Sequence, residues 1–453
     1  MTMNRLSMHD VIGIGFGPAN IALAIAAEEL HPGLDFHFIE RNARAGWQEE
    51  MLLPESDIQN HPLRDLVTPR NPRSRYTFIN FLFEQGRLFE HLNLPLAHPL
   101  RVEYRQYVVW AANHFAQRTR YGHSVGAIVP TIEMGRIASW RVDCDDGHSV
   151  QGRALVLAPG RTPRVPQPFA GIEDARIVHL TQFMSAFQSV KQRVPTPRIA
   201  VIGGSQSAVE LLLHIAGNLP QGEVVGINRN FGFRQKDTSP FSDEVYFPEF
   251  VDTFFHATPA QRRRLRSELA STNYSSADRD VLDALYVQMY RNRILRKEGL
   301  SVRHLSSVTD VRCDAQAVEL VLTHGLNGCS ETVPFDLVVL ATGFKDLGNS
   351  IDDEPYPELM AGIAEYLDLA DGALEVELDY RVRLRPSARG EHAPVFLNGL
   401  CEATHGMGDA GSFSLLSLRS ATIVDSIAEA LGGSLAARDG AARAAGTSPQ
   451  PVA

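Results

Sequence analysis

Two glycine turns constrain this chain more than any other feature. The segment Val11-Ile12-Gly13-Ile14-Gly15-Phe16-Gly17-Pro18-Ala19-Asn20 is echoed near mid-chain by Ala200-Val201-Ile202-Gly203-Gly204-Ser205-Gln206-Ser207-Ala208. Each reads as an apolar strand that passes through a glycine turn into a helix, the unit that receives a dinucleotide pyrophosphate at the helix N-terminus. Two such units predict an α/β fold with two Rossmann-like dinucleotide-binding domains, one for a resident dinucleotide and one for a visiting one.

In the first unit, Gly13 ends the strand in a tight turn and Gly15 removes a side chain where the pyrophosphate approaches. Gly17 and Pro18 lead into a helix, Asn20 to Leu30, whose positive end faces that phosphate. The next apolar run, Phe36-His37-Phe38-Ile39, ends in Glu40, a carboxylate placed to accept ribose hydroxyls and to disfavour a 2′-phosphate. The first site therefore suits FAD or NAD. In the second unit Gly203, Ser205, Gln206 and Ser207 form the turn, with serine in place of the middle glycine, and the following strand ends in Asn228-Arg229-Asn230. An arginine there pairs with a 2′-phosphate, so this site suits NADPH.

The chain has 453 residues, 44% hydrophobic and 21% charged, with a net charge of -10. That is an ordinary globular balance without a basic patch for nucleic acid. Arg262, Arg263, Arg264 and Arg266 cluster, but flanking acids make a solvated helix face the expectation. The four cysteines (Cys144, Cys313, Cys329, Cys401) are scattered, without C-x-x-C spacing, which argues against a thioredoxin-reductase-like dithiol and for a reducing compartment. No run is long enough for a membrane span, and Gly13 and Gly15 interrupt any signal-peptide core, so the cytoplasm is the expected location.

Apolar runs at Ala154–Gly160, Leu337–Gly343 and Val395–Gly399 read as further buried strands. They predict one domain inserted in another: residues 1–165 plus 340–435 for the resident dinucleotide, residues 198–335 for NADPH, a proline-rich crossing between them, and a disordered tail over 436–453.

The residues also carry a family resemblance. Met51–Pro54, Leu63–Pro72, Asp237–Pro248, Thr272–Ser275, Leu340–Phe344 and Thr404–Gly406, together with both glycine turns, run in order along nearly the whole chain. As a set they resemble the flavin-dependent N-hydroxylating monooxygenases of siderophore biosynthesis, the L-ornithine and L-lysine N-monooxygenases. The resemblance implies FAD and NADPH as cofactors, oxygen activated as a C4a-hydroperoxyflavin, and a primary amine converted to a hydroxylamine. It also implies a homo-oligomer.

Residue by residue, it implies Gln59 beside flavin and nicotinamide and Arg64 at a substrate carboxylate. It puts Asp243 near the substrate α-amino group, Asn273 between substrate and NADP⁺, Arg229 on the 2′-phosphate and His405 near the flavin. Several positions depart from the family pattern. Arg64 replaces a lysine and Asp243 an asparagine, Gln48 replaces a histidine and Phe344 a tyrosine, and Gly408–Phe413 looks rearranged. An L-ornithine-like amino acid is the leading substrate class, with L-lysine, L-aspartate (if Arg64 and Arg291 clamp both carboxylates) and putrescine as alternatives. A Baeyer-Villiger or sulfur-oxidising flavoprotein would carry Phe-x-Gly-x-x-x-His in the crossing, but Phe169-Ala170-Gly171 is followed by His179 at the wrong distance. A non-catalytic flavin-binding redox sensor would have no need of an intact NADPH unit.

Overall fold

The computed structural model describes residues 7–388 and 390–445. Its first sheet is built on the strand Met8–Ile14, flanked in parallel by Phe36–Glu40 and by Ser149–Leu157. Val395–Leu397 adds to the far side of Ser149–Leu157, also in parallel, and Thr119–Tyr121 extends the other edge. These strands read as nearly unbroken apolar runs because both their faces are covered, and Val11, Ile12, Leu155, Val156 and Val395 are fully buried. The antiparallel strands Val125–Glu133 and Arg136–Cys144 continue the sheet from the start of Ser149–Leu157. The helix Pro18–Leu30 begins with proline at its first turn, a position that needs no N–H, and buries Ile21 to Ala27.

The second sheet is wholly parallel, in the order Leu300–Arg303, Glu223–Ile227, Arg198–Ile202, Leu337–Leu340, Ile177–His179. It takes in Ile177–His179 and Leu337–Leu340, both outside the segment 198–335 anticipated for it. A three-stranded antiparallel sheet, Ser306–Cys313, Val318–His324 and Ser330–Phe335, packs Val318, Leu320 and Phe335 against Val225 and Ile227. Between Ile227 and Leu300 the chain leaves the sheet for three helices, Pro248–His256, Pro259–Glu268 and Arg279–Leu295. The second of these is started by a Thr258/Gln261 capping box with Pro259 at its first turn.

The two crossings between the sheets lie side by side: Arg164 donates to the Gly343 carbonyl at 3.0 Å and Lys345 to the Thr162 carbonyl at 2.8 Å. A buried ion pair joins the halves as well, Arg101 Nη2 meeting both carboxylate oxygens of Glu210 at 2.9 Å while its other contacts go to the Met51 and Asp57 carbonyls. Those carbonyl bonds complete the guanidinium's partners, which a buried charge requires. The final helix, Leu416–Ala445, runs into the segment expected to be a disordered tail, and residues 446–453 lie outside the described residues. No helix among the described residues is long and apolar enough to cross a membrane.

Candidate active site

At the first glycine turn the three glycines divide the work differently from the sequence expectation. A Cβ on Gly13 would lie 2.3 Å from the Phe38 ring, so its absence lets strand and ring pack. Gly15 has φ +83°, and a Cβ there would lie 2.2 Å from the Ala158 carbonyl oxygen. Its bareness is thus required by the neighbouring strand's end, whatever ligand approaches the turn. At Gly17, in front of the helix N-terminus, a Cβ would meet nothing within 4 Å, which leaves room for a pyrophosphate there, although Gly13, Gly15, Gly17, Pro18 and Glu40 do not themselves line the large cavity that starts just after Glu40. Asn20 braces the turn by donating to the Gly15 carbonyl at 2.7 Å. Glu40 is held by the Phe16 N–H at 2.7 Å on one oxygen and by Asn42 on the other.

A single cavity of about 2070 Å³ runs from residues just after Glu40 to the second glycine turn. This exceeds the usual ~300–1,000 Å³ of a small-molecule pocket, as it must to hold more than one large ligand. It brings together Gln59, Arg64, Gly203, Ser205, Gln206, Ser207, Arg229, Asp243 and Asn273, which the sequence spreads over nearly half its length. Two side-chain donors in its wall are orphaned, Gln59 Nε2 and Asn228 Nδ2. Gln59 also has φ +53°, an uncommon backbone for a side chain of this type. An unsatisfied buried amide costs about 1–3 kcal/mol, so such donors in a cavity wall fit a ligand that supplies acceptors.

At the second turn, Gly203 has no room for a Cβ, which would lie 2.4 Å from the Ala341 carbonyl oxygen. Ser205 is the extended N-cap of the helix Gln206–Asn218, and its hydroxyl makes no cap bond. The Gln206 side chain is committed to protein, bonding Glu210 and the Asp278 N–H. Arg229 follows the strand end, exposed at the cavity edge.

The substrate end is built from three distant segments. Arg64 Nη1 donates to Ser414 Oγ at 3.3 Å, and its guanidinium carbon lies 5.8 Å from the Tyr246 ring centre. Burial holds the Tyr246 phenol well above its usual range, the carboxylates of Asp243 and Glu402 push the same way, and Arg64 opposes them. The loop after Gly408 borders this end: Ala410, Gly411, Ser412, Phe413 and Ser414 all line the cavity, and the Phe413 ring is clamped edge-on by Trp47 and Tyr104 at 5.4 and 5.0 Å. Gln48 and Phe344, two other departures, line it too.

Some expectations fail here. His405 is fully buried and sits behind the cavity wall, stacked on Tyr380 at 4.2 Å. Its Nδ1 meets Thr404 Oγ1 and its Nε2 the Leu378 carbonyl, so it holds the loop and offers the cavity nothing. Arg291 is exposed on the helix Arg279–Leu295 and bonds Gln288, away from the cavity, which removes the second clamp an aspartate would need. Arg266 is not part of a solvated face: it pairs with Asp346 and lines the cavity.

Sequence reasoning missed two clusters. Arg419, 3% exposed, bonds Asn398 and Asp409, while Asn398 reaches Ala19 and Asn20. This ties the loop after Gly408 to the first glycine turn. The second cluster joins Arg161, Arg266, Asp346, Tyr274 and Glu402 on the cavity wall. Arg161, Asp346 and Glu402 fall outside any motif, and only the location of Tyr274 beside Asn273 hinted at it.

Comparison with known proteins agrees with this geometry. The family model for L-lysine 6-monooxygenase/L-ornithine 5-monooxygenase matches residues 7–346. An L-ornithine N(5)-monooxygenase of Pseudomonas aeruginosa is 34% identical over 441 residues, covering 95% of this chain and 96% of that protein. The structure of the reduced ornithine hydroxylase of Pseudomonas aeruginosa superposes with a TM-score of 0.86 at 33% identity, covering 94% of this chain and 100% of that one. The ornithine N-hydroxylase of Kutzneria sp. 744, solved with reduced FAD, NADP⁺ and L-ornithine, gives 0.85 at 32% identity, covering 93% and 99%. The α/β fold with two dinucleotide-binding units is shared throughout, and the chain belongs to the L-lysine 6-monooxygenase/L-ornithine 5-monooxygenase family.

Proposed function

We propose that this protein is an FAD- and NADPH-dependent monooxygenase that N-hydroxylates the side-chain amine of an L-ornithine-like amino acid, in siderophore or related biosynthesis. The observation that carries the substrate class is the placement of one guanidinium, Arg64, and one carboxylate, Asp243, around Tyr246 in the same end of the cavity. An α-amino acid offers the complementary pair, a carboxylate for Arg64 and an ammonium for Asp243. Arginine in place of lysine makes the carboxylate anchor planar and bidentate. A second carboxylate on the substrate would face Asp243 without a partner.

Bound FAD, once reduced by NADPH, supplies the activation of molecular oxygen. The protein's residues do the rest. Gly17 and the N-terminus of Pro18–Leu30 receive the FAD pyrophosphate, Glu40 its ribose, and Gln59 offers its orphaned amide to the bound cofactors. Gly203, Ser205 and Ser207 receive the NADPH pyrophosphate. Asn273 lines the same cavity, and in this reading it reaches substrate and NADP⁺. Arg64 and Asp243 fix the two α-substituents so that the far amine is held at a set distance from the reacting end, and the Phe413 loop excludes water.

For Arg229, whose guanidinium meets the 2′-phosphate, Arg229→Ala is expected to raise KM for NADPH on the order of ten- to a hundredfold, since a charge-assisted hydrogen bond contributes about 1.5–3 kcal/mol. KM for NADH should barely move. Steady-state kinetics with both cofactors check this, and equal effects would assign Arg229 to scaffold.

The functional reading is tested by hydroxylamine formation across an amine panel. L-Ornithine should give the highest coupling of product to NADPH consumed, L-lysine less, and putrescine and L-aspartate least. A panel led by putrescine would remove the amino-acid anchor from the account.

A further inference from the structure

The cluster behind Asn273 has a feature that substrate anchoring leaves unexplained. Glu402 begins the short helix Glu402–His405 and is 1% exposed, and its Oε1 has no hydrogen-bond partner. Its Oε2 accepts the hydroxyl proton of Tyr274. Tyr274 in turn lines the cavity next to Asn273, and its oxygen accepts a long bond from Arg161 Nη1 at 3.4 Å. The hydroxyl thus already points its proton at a carboxylate and keeps lone-pair capacity on its other side.

The reaction of the proposed function needs a group of this kind. An alkyl ammonium has no lone pair, and with an ordinary value near ~10.4 it is almost wholly protonated at neutral pH. Before the nitrogen can act as a nucleophile its proton must go to a neighbour.

Resting on the N-hydroxylase reading, we propose that Tyr274 and Glu402 form a proton relay that neutralises the substrate's terminal ammonium. The ammonium N–H bond breaks towards the Tyr274 oxygen while the Tyr274 O–H bond breaks towards Glu402. The products are a neutral amine, an unchanged tyrosine and a protonated Glu402, with no change in oxidation state.

The surroundings suit the task. Burial raises the Glu402 carboxyl to about 7, with Asp346 pushing the same way, while Arg161, Arg266 and the Tyr274 hydrogen bond oppose the rise. These are the charged and titratable groups that face it from the crossings, from the helix Pro259–Glu268 and from the segment after Thr272, with Tyr246 beyond. Asp346 is itself engaged by both arginines, at 2.5 Å from Arg161 Nη2, so it neutralises part of their pull. A carboxylate poised near the working pH gives and takes protons best.

The sign of the pH dependence follows. Glu402 accepts a proton only when ionised, so product formation in the wild type should rise with pH through about 7 and then level. Glu402→Gln keeps the shape and a carbonyl acceptor for Tyr274 but takes no proton. Its hydroxylamine rate should fall on the order of a hundredfold near neutrality. It should then recover about tenfold per pH unit towards the amine's own value, because only the spontaneously neutral amine then reacts. Tyr274→Phe should show the same alkaline rescue.

Infrared difference spectra of the apoprotein give a readout independent of turnover: a protonated-carboxyl band that titrates near pH 7 and is missing from Glu402→Gln supports the assignment. A wild-type pH profile in Glu402→Gln, or an equal loss at every pH accompanied by slower flavin reduction, overturns the relay. Wild-type protein that makes no hydroxylamine from any amine overturns the functional reading instead, so the two failures are told apart.

Discussion

Gly15→Val is expected to yield protein without FAD, colourless and markedly less stable than the parent. The reason is local and double. At φ +83° a β-branched residue is strained by about 1–3 kcal/mol, and its Cβ would press within 2.2 Å of the Ala158 carbonyl oxygen. That backbone belongs to the end of the neighbouring strand and cannot swing aside like a side chain. The turn also holds its place through the Gly15 N–H to the Ile39 carbonyl at 2.8 Å and the Asn20 bond to the Gly15 carbonyl, so displacing Gly15 displaces the helix N-terminus.

Gly17→Val is the informative companion. Its Cβ meets no protein atom within 4 Å, so the fold should survive while the branched side chain fills the space left for a pyrophosphate. Flavin absorbance per mole of protein and thermal unfolding, measured on both, check the pair: Gly15→Val should lose both and Gly17→Val flavin alone. A stable, yellow Gly15→Val protein would contradict the assignment of this turn.

Arg64→Ala should uncouple the enzyme. Arg64 is the guanidinium at the substrate end of the cavity, set by Ser414 and Tyr246, and in this account it fixes the substrate carboxylate while the far amine is presented for reaction. Effective molarities of oriented groups are large, so freeing one anchor lowers productive encounters far more than it lowers occupancy. Hydroxylamine yield per NADPH from L-ornithine should drop about tenfold or more, with hydrogen peroxide making up the difference, while flavin reduction by NADPH stays near normal. Putrescine has no carboxylate to lose, so its yield should hardly change. Parallel assays of hydroxylamine and peroxide decide: full coupling with L-ornithine in Arg64→Ala would mean that Arg64 is not the anchor.

What the sequence disclosed was the chemistry that is local in the chain. A glycine turn lies between strand and helix, and Glu40 and Arg229 each stand at or just past the end of the next strand, so each unit is contained in one short stretch of chain. So are the apolar runs, because parallel strands buried on both faces leave no alternation to blur them.

The errors share a different cause. The steric demand that Ala158 places on Gly15 comes from the end of a strand far along the chain, so that part of its role cannot be read from its own turn. Arg266 looked solvated among flanking charges, yet Asp346 comes to it from the crossing between the sheets. His405 sits in a motif beside the cavity, but the packing of Tyr380 and the Leu378 carbonyl turns its ring away. The second sheet gained Ile177–His179 because a three-residue strand carries too little periodicity to stand out. Glu402 had no signal of its own: its significance lies in a missing partner and in charges drawn from three other segments.

The central claim is that the cavity couples NADPH and molecular oxygen to the hydroxylation of an amino-acid amine. Turnover of L-ornithine under ¹⁸O₂, with mass analysis of the product and NADPH consumption followed in the same vessel, tests it most directly. The account predicts a hydroxylamine carrying one ¹⁸O atom on the side-chain nitrogen, formed in near-equal amount to the NADPH oxidised. NADPH oxidation that yields only labelled peroxide, with L-ornithine recovered unchanged, would contradict it.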